Sequence, residues 1–337
     1  MVAALLLFRL AFAAPGVTFE DSFRAGLVAL QNNDLQAAEA NLEAARHLQP
    51  SNGRVWIALA QTHRKLHHDE KAQMAADNAA RLAPADPPVL RSLVIYYSES
   101  GALLKAAGAQ ARLAALTPVD QALRDRAEAM YFEAVQPLLR QEKFAEAIQA
   151  LETARLSVPN SGQLELALGV ACYGLRRFDD AAAAFLRTIE LAPDVEQPYL
   201  FLGKFLDQVP ARLPAITTRF LAWEAAHPES ATGYLLHARA LNAQSSDPAV
   251  AAKLLEKSLS LNDRDAAAHF ELGTVYDRLN RFADAAREFS IAAELAPADP
   301  ANHYRLARDY DRLGKPAEAA AEREKHAKLT LAQDAVR

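Results

Sequence analysis

One cysteine, Cys172, stands in 337 residues, which excludes an intrachain disulfide framework and any multi-cysteine metal site. Glycine is scarce at 12 residues, too few for the turn density of an all-β fold. Aromatic residues are only 7% although apolar residues reach 51%, so Ala and Leu carry the balance. Ala loses the least free energy on entering a helix, and such a composition favours helices. Neither sign of charge dominates: 37 basic against 42 acidic residues leave a formal charge of -5. That excludes the simplest electrostatic nucleic-acid binder, which shows a strong basic excess. No G-x-G-x-x-G, P-loop, H-E-x-x-H or G-x-S-x-G occurs, so no recognised nucleotide, zinc-protease or hydrolase signature is present. The expectation is a chain without catalytic activity and without a cofactor.

Long apolar runs are also missing, with one short exception. Residues 1–14 read MVAALLLFRLAFAA, too short for a membrane span of about 20 residues. The run ends in small residues before Pro15-Gly16, and Ala11-Phe12-Ala13 has the form of an A-x-A cleavage site. No basic residue precedes the stretch and Arg9 lies inside it, so a frayed N-terminal helix fits the same residues. We expect a signal peptide over 1–14 and a periplasmic or secreted chain, or a cytoplasmic one if the segment is not a leader. No cysteine follows the segment to carry a lipid. After leader removal, no stable membrane insertion is expected.

What the chain does have is a period. Pro50, Pro84 and Pro118 are spaced by 34 residues, as are Pro159 and Pro193; Pro228 follows at 35. Each closes a similar phrase, such as RLAP, LSVP or ELAP. Periods of 20–50 residues mark solenoids. Within a period the small residues recur at two kinds of slot. Gly26, Ala60, Gly169, Gly273 and Ala307 suit the close approach of a first helix to a second, and Ala38, Ala72, Ala181, Ala285 and Ala319 supply the small partners. Leu and aromatic residues at helical spacing fill the seam. The closing proline ends the second helix, and Asp86-Pro87 and Asp299-Pro300 open the next with an N-cap acceptor and an early proline.

His269, Leu272, Gly273, Tyr276, Ala285, Phe289, Ala292 and Pro297 together carry the pattern most fully, and Trp56, Leu59, Ala60, Ala72, Ala79 and Pro84 repeat it. In these residues the chain resembles the tetratricopeptide repeat family. The resemblance covers about nine tandem repeats over 19–331. It implies an all-α fold, a right-handed superhelical solenoid of helix–turn–helix units whose first helices line a concave ligand surface. The interval from Pro118 to Pro159 is seven residues too long. Seven is nearly two helical turns, so a lengthened first helix near 119–140, with Pro137 inside it, keeps the apolar face in register; a joint between a three-unit and a six-unit block is the other reading. Residues 322–337 read as a charged, water-facing C-terminal capping helix or tail.

Candidate chemistry is weighed against these slots. His63 and His67 are at i, i+4, a zinc-ligand spacing, but His63 occupies a packing slot and His67 and His68 fall in the inter-helix turn. No metal is assigned. Cys172 sits where the repeat takes Tyr and reads as a structural thiol. The remaining candidate is the groove. Its apolar and aromatic slots hold Phe23, Ile57, Phe132, Leu166, Tyr173, Phe270 and Tyr304; its basic slots hold Arg64, Arg91, Arg140, Lys204, Arg239, Arg278 and Arg308. Aromatic anchors flanked by cations suit a peptide with apolar and acidic groups. Phe23, Leu27, Ile57 and Gln61 occupy the first two groove helices in place of the Lys/Asn clamp for heat-shock chaperone tails, which argues against that subtype. The expected function is a non-catalytic scaffold or adaptor for a protein or peptide partner, and not for nucleic acid. The alternatives are the recognition subunit of an enzyme complex or a cell-wall or polysaccharide-associated binding protein.

Overall fold

The computed structural model describes residues 18–336, and among them the regular elements are all helical. The apolar run at 1–14 lies outside the described residues. Among the described residues eighteen α-helices follow one another in nine consecutive pairs. By internal packing the chain divides into a unit ending at Pro159 and a unit starting at Asn160. The division falls after the fourth pair, not after the third.

The first unit holds α1 (Phe19–Gln31), α2 (Leu35–Leu48), α3 (Gly53–Lys65), α4 (Asp69–Leu82), α5 (Pro87–Glu99), α6 (Leu103–Leu116), α7 (Gln121–Arg140) and α8 (Phe144–Ser157). Local chemistry sets the starts of the first helices. The side chains of Asn52, Asp86 and Asp120 each accept a backbone N–H from the first turn of α3, α5 and α7, satisfying donors that have no partner within the helix. The helices meet at small residues: Ala38, Ala60, Ala72 and Ala106 are fully buried, and Leu59, Leu90, Leu93 and Tyr97 fill the seam around them. α7 spans 20 residues with Pro137 in its last turns.

A single turn type joins the two helices of each pair in this unit. Asn33, His67, Gly101 and Glu142 adopt positive φ, three of them without being glycine. Each stands just past a helix end, and the next residue's N–H donates back to a carbonyl five residues earlier, as His68 N does to His63 O at 2.8 Å. This is the Schellman closure, which satisfies orphan carbonyls and turns the chain sharply.

The second unit holds α9 (Gly162–Gly174), α10 (Phe178–Leu191), α11 (Gln197–Leu202), α12 (Leu213–Ala226), α13 (Ala231–Ala243), α14 (Pro248–Leu261), α15 (Ala266–Arg278), α16 (Phe282–Leu295), α17 (Pro300–Arg312) and α18 (Pro316–Val336). A Cβ on Gly169 would lie 2.5 Å from the ring of the fully buried Phe185, so helix α9 can sit on α10 only with glycine there. The sixth pair departs from the others. α11 stops after six residues, and two 3-10 turns, Leu206–Gln208 and Pro210–Arg212, lead into α12. Pro210 opens the second 3-10 turn and Pro214 lies in the first turn of α12, where proline's missing N–H costs nothing, while Phe205, Leu206 and Val209 are buried and hold the irregular stretch against the core.

One expectation about the terminal helix needs correction. Glu322 reads as solvated in a charged cap, but it is 8% exposed, and its carboxylate lies 2.5 Å from the His303 ring nitrogen. α18 begins at Pro316, so residues 322–336 continue the second helix of the ninth pair. Among the described residues no helix is long and apolar enough to cross a membrane.

Candidate functional site

The expected groove residues divide into three groups once their surroundings are known. Ile57 is the clear correction: it is 6% exposed and belongs to the core of the first unit, because α3 is packed from both sides. Phe23 is half-buried, stacked on Phe19 at 5.6 Å and packed on that same core. Tyr173 joins Phe178, Phe201 and Phe205 in an aromatic cluster with centroid separations of 5.4–6.0 Å. Phe270 meets Phe289 edge-on at 5.5 Å. These rings are engaged in packing. Leu166 and Phe132 are half-buried.

Several basic slots are already engaged within the protein. Arg64 pairs with Glu99 and lies 5.8 Å over Tyr96. Arg239 pairs with Glu271 at 2.7 Å, across adjacent repeats. Arg278 donates to Asn242 and, at 3.3 Å, to the Ser246 carbonyl. Such cations link one repeat to the next, and a ligand carboxylate would have to compete with the residues already bound.

The third group remains exposed, Arg308 only partly so, and shows a recurring arrangement. On α5, exposed Arg91 stands one turn from Ile95, which is 55% exposed. On α11, Leu200 is 40% exposed, and exposed Lys204 follows in the turn just past the helix end, its ammonium 4.9 Å over Phe201. On α17, Tyr304 is 49% exposed with the Arg308 guanidinium 5.8 Å over its ring. Each accessible apolar side chain lies on the first helix of its pair, with a cation on the same helix or just past its end. Arg140, exposed at the end of α7, lies 3.4 Å from Gln136. The two units carry these positions separately: Arg91, Ile95 and Arg140 in the first, and Leu200, Lys204, Tyr304 and Arg308 in the second. A further open groove of about 940 Å³ lies between α3, α4 and α5, walled by Arg64, Asp69, Gln73, Asp77, Arg81 and Glu99. It is bounded largely by a second helix, and Arg64 is the one predicted residue in its wall.

Sequence reasoning missed the buried polar pairs. His269 Nδ1 lies 2.7 Å from Glu288, and His303 Nδ1 lies 2.5 Å from Glu322. The signal was available, since each pair joins the two helices of one repeat with the same 19-residue offset, and the pattern recurs in the next repeat. His237 pairs instead with Glu224 of the preceding helix at 2.5 Å. A second missed group surrounds Asp309. This carboxyl is 1% exposed and receives Arg312 at 3.1 Å on one oxygen, while the other is buried without a hydrogen-bond partner. Burial pushes its pKa up to about 6, against the opposing pull of the Arg308 and Arg305 charges. In the first unit Asp77 is driven the other way. Burial opposes its ionisation, but hydrogen bonds from Lys105, Gln73 and Tyr97 outweigh it and hold the carboxyl below its ordinary value. Cys172 is buried at 2% exposure.

The helix pairs, their small contact residues and their repeated turns define a tandem helix-pair repeat protein. The tetratricopeptide repeat family model matches residues 23–87, 132–196 and 235–300. These segments make up more than half of the chain, and the chain belongs to the tetratricopeptide repeat family. Comparison with curated proteins returns no match. Among solved structures, the chain is similar to TTC0263, a thermophilic TPR protein of Thermus thermophilus, at 24% identity, TM-score 0.42, and coverage of 51% of this chain and 100% of that one. It is also similar to PilF of Pseudomonas aeruginosa, at 18% identity, TM-score 0.47, and coverage of 59% and 90%. A third is MamA of Desulfovibrio magneticus RS-1, at 18% identity, TM-score 0.37, and coverage of 61% and 96%. Proteins of this repeat family are generally non-catalytic scaffolds that bind protein partners.

Proposed function

We propose that this chain is a non-catalytic scaffold or adaptor that binds an extended protein or peptide segment along the first helices of its repeats. The observation that carries the reading is the recurring exposed apolar–cation couple: Arg91 with Ile95, Leu200 with Lys204, and Tyr304 with Arg308. An exposed apolar side chain gains by burial, and a cation one turn away selects a partner with acidic groups. Helices held on both sides by packing lose little entropy when they bind, so modest contacts add up along a segment. The reading places the chain outside the cytoplasm on the strength of the apolar run at 1–14, which lies outside the described residues.

The test is a pull-down from the soluble compartments of the source cell, with the mature chain as bait. Two control baits carry changes at the exposed couples: Arg91→Glu with Ile95→Ser, and Leu200→Ser with Tyr304→Ala. Circular dichroism checks that both stay folded. A partner retained by the parent and lost with either control supports the reading. Partners that bind all three baits equally place recognition elsewhere on the surface and sink it.

A further inference from the structure

We propose that Glu39, His63 and His68 form a binding site for a divalent transition-metal ion of the zinc class, tying the first helix pair to the second. Ligand atoms of the three residues all lie within 4.8 Å of one another. Glu39 comes from α2, His63 from the last turn of α3, and His68 from the residue that opens α4. A metal held there would bridge three helices.

The local backbone makes the cluster. By spacing alone His63 would pair with His67, one turn on. But α3 ends at Lys65, and His67 takes φ of 59° in the Schellman turn, so it leaves the face. The same turn brings His68 back, its N–H donating to the His63 carbonyl at 2.8 Å. The two rings stand 6.1 Å apart. His68 occupies the N-cap position of α4, yet its side chain makes no capping hydrogen bond, which leaves the ring available for another contact.

An independent observation points to a ligand. His63 is 5% exposed, and its Nδ1 is buried without a hydrogen-bond partner. A buried polar atom left without a partner costs free energy and is uncommon in native structures. That nitrogen faces the Glu39 carboxylate at 3.6 Å, slightly beyond hydrogen-bond reach. Tetrahedral zinc with bonds of about 2.0–2.1 Å holds its ligand atoms roughly 3.3 Å apart, so the Glu39–His63 separation is close to what an ion requires. Two imidazoles and one carboxylate suit zinc, cobalt or nickel, whereas calcium and magnesium prefer all-oxygen sets. The Lys71 ammonium lies 3.9 Å from the same Glu39 oxygen and competes with any cation there.

Zinc titrated calorimetrically into the full chain, with cobalt(II) absorbance as a probe of tetrahedral geometry, tests the site. One ion per chain is expected at this locus. His68→Ala and Glu39→Gln, both at accessible positions, should each weaken binding at least about tenfold with unchanged circular dichroism, while Lys71→Gln should tighten it several-fold. His63→Gln is the less decisive variant, because it alters a buried ring. Absence of zinc binding, zinc binding indifferent to both His68→Ala and Glu39→Gln, or an equal response to magnesium overturns the proposal.

Discussion

At the scale of single residues, the useful distinction is between side chains that pack and those that face water. Ile57 and Ile95 look alike in the sequence, each on a first helix, yet one is 6% and the other 55% exposed. Ile57→Ala should cost about 2–5 kcal/mol in urea unfolding, the range for a buried Ile cut to Ala. Ile95→Ser should stay within about 0.5 kcal/mol of wild type. Asp309 gives a pH test with a definite sign. Its pKa is higher in the folded chain, at about 6, than in the unfolded one. The ionised carboxylate therefore destabilises the fold above that value, and protonation relieves the cost as the pH falls through it toward the ordinary carboxylate range. Asp309→Asn keeps an acceptor for Arg312 and removes the titration. The variant should be more stable than wild type at pH 7.5, and the gap should shrink by about 1 kcal/mol at pH 5. A gap that widens on acidification would show that the Arg312 contact dominates.

At the scale of the element, a helix pair is the unit that the contacts define. The α15–α16 pair is fixed by two features: Gly273, where a Cβ would lie 2.9 Å from the Phe289 ring, and the buried His269–Glu288 pair. Gly273→Ala should lower stability by about 1–3 kcal/mol, the cost of overpacking a tight contact. A double-mutant cycle on His269 and Glu288 should return a coupling of at least about 1 kcal/mol, because removing either partner leaves a buried polar atom of the other without this bond, although Glu288 keeps Arg287 at 3.2 Å and His269 keeps the Asp263 carbonyl at 3.0 Å. Arg187 and Glu190 pair at 3.0 Å with their side chains 44% and 42% exposed. The same cycle there should give well under about 1 kcal/mol. Equal couplings would mean that the buried pair adds nothing beyond a surface one. The irregular segment between α11 and α12 is the element the repeat rule fails to describe. Phe205 and Val209 supply the apolar surface that a full first helix would bury, and Pro210 and Pro214 open the turn and the helix that follow.

At the scale of the whole molecule, the chain consists of two units that meet at Pro159 and Asn160 in sequence. In repeat proteins each unit packs mainly on its neighbours, and stability is close to a sum of local terms. Separately expressed residues 18–159 and 160–337 should each show helical circular dichroism and a cooperative melt. A fragment that is unfolded on its own would show that its stability depends on the other unit. The exposed apolar–cation couples occur in both units, so a partner that needs the whole chain should bind each fragment more weakly than the intact protein.

The sequence by itself determined the period, the helix pairs and the small contact residues, because these follow from spacing on one helix and from proline and capping chemistry within a few residues. It also made the family resemblance legible in Gly273, Tyr276, Ala285 and Phe289. Tertiary structure alone decided which side chains are occupied. Arg239 and Glu271 are 32 positions apart, and Arg278 and Asn242 are 36 apart; such residues become neighbours only when one repeat stacks on the next. The rotation of α3 that buries Ile57, and the left-handed residue at His67 that exchanges His67 for His68 beside His63, depend likewise on packing and turn geometry. No helical period encodes either.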